Sequence, residues 1–144
     1  MKQKNIQLLS KDKINKTLIR LSHEIIENSN ILEQVVLVGI RTRGEFLANR
    51  IKENIYKISK KKLQLGVLDV TFHRDDFKSH FGSPKVGPSS IDFNIQDKNI
   101  ILIDDVLYTG RTIRAAINEI FSYGRPNKVQ LAVLVDRGHR EIPI

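Results

Sequence analysis

Short apolar runs rich in Val and Ile alternate along this chain with longer segments of helical period, and that alternation restricts the fold more than any other feature. Val35–Ile40, Leu63–Thr71, Ile100–Ile103 and Val129–Val135 read as strands. Ahead of the first, Ile14, Leu18, Leu21 and Ile25 recur at helical spacing behind a capping Ser10. Leu47, Ile51 and Ile55 share one face of a second helix. Ile113, Ala116, Ile117, Ile120 and Phe121 form the stripe of a third, which stops at Gly124-Arg125-Pro126. Strands that are apolar on both faces and separated by helices imply a parallel α/β sheet with helices flanking it. Its ligands should lie beyond the carboxyl ends of the strands, so the residues just after each strand are the ones to read for chemistry.

At 144 residues, 40% of them hydrophobic, the chain suits one compact domain spanning residues 1–144. It contains no cysteine, which excludes disulfides, thiolate metal sites and cysteine nucleophiles. The four histidines, His23, His73, His80 and His139, lack the spacing of a zinc site. No apolar run approaches the roughly 20 residues of a membrane helix, and the polar start lacks a secretory segment, so a cytoplasmic protein without membrane partners is expected. Residues 74–99 break the alternation, with Gly82, Pro84, Gly87 and Pro88 and no regular period. A loop of that length in a compact domain usually has a task, and residues 74–92 read as a flexible lid.

The most specific segment runs from Ile101 to Thr112: a buried strand, two adjacent carboxylates (Asp104, Asp105), then Val106 and Leu107 and a turn Tyr108-Thr109-Gly110-Arg111-Thr112 that opens a helix. Such a turn aims backbone N–H groups, hydroxyls and the positive end of a helix at one phosphate, and Gly110 lets the backbone approach closely. The carboxylates accept hydrogen bonds from vicinal sugar hydroxyls, or hold Mg²⁺ directly or through water. Phosphate cradle and acidic pair together favour a ribose 5-phosphate ligand. A Walker B strand or a phosphorylation receiver pocket also ends in paired acids, and a solvated acidic turn is the bland alternative. No G-x-x-x-x-G-K-[ST] is present, a receiver carries its pair after the first strand, and Thr-Gly-Arg-Thr suits neither. After the first strand, Arg41-Thr42-Arg43-Gly44 forms a second anion site, where the planar fork of Arg43 suits phosphate oxygens.

The wording Asp104-Asp105-Val106-Leu107-Tyr108-Thr109-Gly110-Arg111-Thr112 resembles the phosphoribosyl pyrophosphate (PRPP) motif of the type I phosphoribosyltransferases, specifically the branch that regulates pyrimidine operons. The segments from Val38 to Gly44, Asp69 to Asp76 and Leu131 to Glu141 match the same wording in the same order, from about Leu9 to the end. The resemblance implies a type I phosphoribosyltransferase-like sheet and two activities. One is UMP formation from uracil and PRPP with Mg²⁺. The other is UMP-dependent binding of the pyrimidine operon messenger RNA leader, which promotes transcription termination. By the same resemblance Thr42 and Arg43 grip pyrophosphate, Val106 to Thr112 hold the ribose phosphate, and Asp104 and Asp105 serve the ribose and metal. Transfer needs no covalent nucleophile; the protein holds both ends of PRPP, neutralises the leaving group and excludes water, the last being a task for the lid. Arg74, at the lid's base, can reach pyrophosphate or pair with Asp75 and Asp76.

Charge bears on the RNA activity. Of the +8 net charge, all lies in residues 1–65, with 14 basic and 6 acidic side chains, while residues 66–144 hold 10 of each. Lys13, Lys16, Arg20 and His23 draw a basic stripe on the first helix, and Arg137, His139 and Arg140 form a second cluster. Either could be simply solvated; with the resemblance, Arg20, His23, Arg137, His139 and Arg140 become the expected RNA contacts. A folded hairpin read by shape and phosphates is expected, because no RNA-recognition motif or aromatic platform is present. Similar proteins form dimers and tetramers. They also continue a few dozen residues past the point corresponding to Ile144 and supply there a further strand and much of the uracil hood, so the C-terminal part reads as incomplete. The alternative is therefore a PRPP-, nucleotide- or RNA-binding module without catalysis. Smaller departures are Ile19 where a hydroxyl is common, Arg41 in place of lysine, and a lid without acids between Phe77 and Ile91.

Overall fold

Side chains alternate along each strand, and this divides the core into two layers on opposite faces of one parallel sheet. The computed structural model describes residues 9–70 and 89–144. Its elements are α1 (Lys11–Glu27), a single 3-10 turn (Leu32–Gln34), β1 (Val35–Ile40), α2 (Arg43–Ser59), β2 (Gln64–Leu68), β3 (Asn99–Leu107), α3 (Arg111–Tyr123) and β4 (Lys128–Asp136). The strands lie in the order β2-β1-β3-β4, all parallel. Val35 and Leu37 of β1 and Ile101 and Ile103 of β3 pack with Leu18, Ile25, Leu47, Ile51 and Ile55 of α1 and α2. Val36, Val38 and Ile40, with Ile100 and Leu102, pack with Ile113, Ala116 and Ile120 of α3. Burying one such Ile or Leu completely contributes about 2 kcal/mol, so an uninterrupted apolar run is what a strand covered on both faces requires.

The helices follow their sequence signals closely. Ser10 caps α1, its hydroxyl accepting from the Lys13 N–H at 3.1 Å. Helix α3 ends at Tyr123, and Gly124 follows with φ 151°, a conformation that L side chains rarely adopt. One stripe residue departs: Phe121 is 54% exposed. It lies beyond the arc that Ile113, Ala116 and Ile120 turn to the sheet.

Three strand boundaries differ from expectation. β2 is confined to Gln64–Leu68, so Leu63, Asp69 and Val70 lie outside it, and Thr71 falls outside the described residues. β3 runs on through Asp104, Asp105 and Val106 to Leu107, because β4 continues beside it and pairs Asp104 with Val133 and Leu107 with Asp136. β4 itself spans Lys128–Asp136, one residue longer at each end than expected.

The segment expected to be irregular is partly anchored. Arg74 and residues 74–88 of the expected lid lie outside the described residues. Ser90 exchanges both backbone hydrogen bonds with Val67 of β2 (2.9 and 2.8 Å), and Ser89 Oγ accepts from the Asp69 N–H at 3.0 Å. Ser89 and Ser90 are therefore tied to the edge of the sheet beside β2. Ile95, unassigned by periodicity, is fully buried against the α3 layer. Among the described residues no helix is long and apolar enough to cross a membrane.

Candidate active site

β1 ends where β3 has three residues still to run, and that difference in length makes the cleft. Gly39 is paired with Ile103, so Asp104 stands level with Ile40, the last residue of β1, and Asp105 with the turn that leaves it at Arg41. Thr42, Arg43, Asp104, Asp105, Val106 and Thr112 line an open cavity of about 400 Å³. Two of its walls can approach only because of glycines. A Cβ on Gly39 would lie 2.6 Å from the Gly44 carbonyl oxygen, and one on Gly44 would collide with the carbonyl oxygen of Ile103. The first turn of α2 is thereby seated directly on the end of β3. The Arg41–Thr42 peptide is cis.

The two carboxylates differ in environment. Asp104 is buried, and its Oδ1 accepts from the Asp105 N–H at 2.9 Å. Asp105 is partly exposed: its Oδ1 accepts from the Val106 N–H at 2.9 Å, and its Oδ2 from Arg43 Nη1 at 3.3 Å. Thr42 stands at the N-terminus of α2 without a side-chain cap hydrogen bond and lines the cavity. No group of three or more acidic or His side chains suited to a metal occurs among the described residues. A hard cation here would take one or two carboxylates, with the rest of its shell from ligand oxygens and water, as Mg²⁺ commonly does with phosphate esters.

On the other side of Val106 the chain turns at Tyr108-Thr109-Gly110 into α3, and residues Val106 to Gly110 with Thr112 and Ile113 line a second cavity of about 70 Å³. Gly110 stands at φ 92° before the first helical residue, and no acidic residue occupies the first turn of α3. Arg111 N–H donates to Thr109 Oγ1 at 3.2 Å. No acidic side chain of the helix's own first turn offsets its positive end beside the cavity. The Leu107 side chain belongs to the core, so it can offer a ligand only backbone groups.

The two basic clusters occupy different parts of the fold. Lys13, Lys16, Arg20 and His23 are all exposed on α1, with Lys16 3.2 Å from Asp12 and Arg20 3.9 Å from Glu24. Arg137, His139 and Arg140 instead gather around Tyr108: the Arg137 guanidinium lies 4.1 Å from its ring centroid, the His139 ring meets it edge-on at 6.2 Å, and Arg140 Nη1 donates to its carbonyl at 2.6 Å. Among the described residues no hydrogen bond or ion pair joins Arg20 or His23 to this group. Arg140 also donates through Nη2 to both carboxylate oxygens of Asp136, at 2.9 Å each. The Asp136 carboxyl is held below the usual aspartate range, first by the Gly138 N–H and then by Arg140. Glu141 takes Arg111 at 2.8 Å. The sequence placed Gly44 in the anion site after β1 but assigned no role to Gly39, Asp136 or Glu141.

Residues 5–144 match the phosphoribosyl transferase domain family. The chain is 51% identical over 138 residues to the bifunctional protein PyrR of Caldicellulosiruptor bescii, covering 96% of this chain and 76% of that protein. It is 53% identical over 137 residues to the protein of the same name from Clostridium kluyveri, covering 95% and 77%. Among solved structures it is similar to a hypoxanthine-guanine phosphoribosyltransferase from Bacillus anthracis, with a TM-score of 0.73 at 18% identity over 99% of this chain and 80% of that one. A hypoxanthine phosphoribosyltransferase from Staphylococcus aureus gives 0.72 at 19% identity, over 97% and 73%. At such identities the two structures speak for the fold alone.

Proposed function

This chain belongs to the phosphoribosyl transferase family and to its PyrR branch, and on that premise we propose that it makes UMP from uracil and PRPP and binds the pyrimidine operon messenger RNA leader when UMP is present. The carrying observation is that Arg43, Asp104, Asp105 and Thr112 line one cavity beside a turn that opens a helix. In the reaction the bond from ribose C1 to pyrophosphate breaks, the C1–N1 bond to uracil forms, and the N1 proton of uracil passes to the departing pyrophosphate or to water. Arg43 and Thr42 grip pyrophosphate, Asp104 and Asp105 take the ribose hydroxyls, and the turn from Tyr108 to Thr112 takes the 5-phosphate. Asp104 and Asp105 would hold, directly or through water, the Mg²⁺ that enters with PRPP, and the ion would supply neutralisation of charge on the leaving group. Arg74 belongs to the same proposal as a further pyrophosphate contact.

Exposed Arg20 and His23 on α1, with Arg137 and His139 beside the phosphate turn and Arg140 behind them, make the RNA surface. The protein acts in the cytoplasm as one domain and as a dimer or tetramer, a state that light scattering after size-exclusion chromatography measures directly.

The test is UMP formation from uracil, PRPP and Mg²⁺, abolished by Asp105→Asn. PRPP binding without turnover in the wild type would instead mark a binding module. For regulation, a gel shift with the leader hairpin should tighten with UMP and weaken when Arg20→Gln and His139→Ala are combined. An unchanged complex would remove these residues from the RNA surface.

A further inference from the structure

Three consecutive carbonyls of the phosphate turn all point to the segment that follows β4. Leu107 O accepts from the Arg137 N–H at 2.8 Å. Tyr108 O accepts from Arg140 Nη1 at 2.6 Å. Thr109 O accepts from the N–H groups of Glu141 and Ile142, at 2.9 and 3.3 Å. In a trans peptide the N–H lies opposite the carbonyl, and the one cis bond among the described residues is Arg41–Thr42. The N–H groups of Tyr108, Thr109 and Gly110 are therefore turned away from the strap formed by residues 137–142. The cavity at this turn is lined by Val106 to Gly110, Thr112 and Ile113, and by none of the strap residues. Fixing the carbonyls on one side aims the amides at the other, where an anion needs them.

Of these bonds only the one to Tyr108 depends on a side chain. We infer that Arg140 is a positioning residue for the phosphate turn: it holds the Tyr108–Thr109 peptide in the orientation that offers N–H rather than carbonyl oxygen to the ribose 5-phosphate. The role rests on the reading of this turn as the phosphate site. Asp136 is the second half of the device, because its two oxygens anchor the Arg140 fork at 2.9 Å each and leave Nη1 for the carbonyl. The Arg111–Glu141 pair at 2.8 Å ties the strap to the first residue of α3. Without Arg140 the Tyr108–Thr109 peptide can rotate at a modest cost, and rotation replaces a donor by an acceptor facing the anion. Tyr108 is 41% exposed at the tip of the turn, and its ring meets the Arg137 guanidinium and the His139 edge rather than the core.

The experiment compares wild type, Arg140→Met, Arg140→Lys and Asp136→Asn by isothermal calorimetry with ribose 5-phosphate and with UMP and uridine, and by steady-state kinetics. The expected result for Arg140→Met is about a tenfold loss of ribose 5-phosphate and UMP affinity with uridine affinity unchanged. The KM for PRPP rises by a similar factor while kcat stays within about twofold, the pattern of a lost uniform binding term. Arg140→Lys restores part of the loss, and Asp136→Asn reproduces part of it without touching the turn, so the outcome survives a poorly folding Arg140→Met. Unchanged ribose 5-phosphate affinity in both Arg140→Met and Asp136→Asn overturns the positioning role while leaving the phosphate site intact. Loss of leader RNA binding with unchanged phosphate affinity assigns Arg140 to the RNA alone and also overturns it. A wild type that binds neither ribose 5-phosphate nor UMP overturns the phosphate site and the positioning role together.

Discussion

Arg43 donates to Asp105 across the mouth of the cleft, Nη1 to Oδ2 at 3.3 Å, and so joins the first turn of α2 to the end of β3. The pair closes a contact over 62 residues of chain, yet the Arg43 side chain is 83% exposed and that of Asp105 25%. An ion pair so open to water contributes about 0–1 kcal/mol. In the proposed reaction the two groups would change partners when PRPP enters, Arg43 going to pyrophosphate and Asp105 to the ribose.

Arg43→Gln should separate function from stability. The UMP-forming rate is expected to fall about a hundredfold, as when one charged donor to a developing anion is removed. The thermal midpoint should move by no more than about 3 °C, since only an exposed pair is lost. Activity assays and differential scanning calorimetry on the same preparation check this, and a large fall in the midpoint would contradict the partner exchange.

Gly44→Ala should do the opposite first. Its Cβ meets the Ile103 carbonyl oxygen, part of the sheet's backbone, which cannot move aside as a flexible side chain can. Overpacking of this kind costs about 1–3 kcal/mol, which corresponds to a drop of roughly 3–9 °C in the midpoint for a chain of this size. Activity should fall as well, because α2 carries Arg43 one residue away. An unchanged midpoint would mean that α2 is not seated on β3 as described.

Asp136 supplies a pH prediction. The Gly138 N–H and then Arg140 favour its carboxylate in the folded protein, so its folded pKa lies below the unfolded value of about 3.9. A depressed carboxylate stabilises the fold in full above the unfolded value, and that contribution is lost as pH falls through the folded one. The midpoint difference between wild type and Asp136→Asn should therefore be flat from about pH 7 to pH 5 and narrow only below about 3.9. Midpoints measured across that range check it, and a change confined to neutral pH would point to another group.

Much of the cleft was legible because its parts are local. Asp104, Asp105 and the Thr109-Gly110-Arg111-Thr112 turn are contiguous, and their strand and helix flanks have clear periods. Ile95 was not legible: it is one apolar residue in an aperiodic segment, buried because residues 91–98 fold under α3 and are tied there by Asp97 to Arg125 and Asn127 to Lys98. Phe121 misled in the other direction, since a period fixes a helical face but not how wide an arc the sheet will cover. The pairing of Ser90 with Val67 was no more legible, because it joins two segments whose side chains carry no mutual signal.

By itself the sequence determined a parallel α/β sheet, the positions of most of its elements and the acidic pair with the Tyr108–Thr112 turn behind it, because each follows from side-chain chemistry repeated over a few residues. The tertiary structure decided how far β3 outruns β1, which glycines let α2 rest on β3, and that the strap from Arg137 to Ile142 takes the carbonyls of the phosphate turn. These are contacts between distant segments, several of them made by backbone groups that every residue possesses. Their physical basis is geometric register, which a list of side chains does not encode.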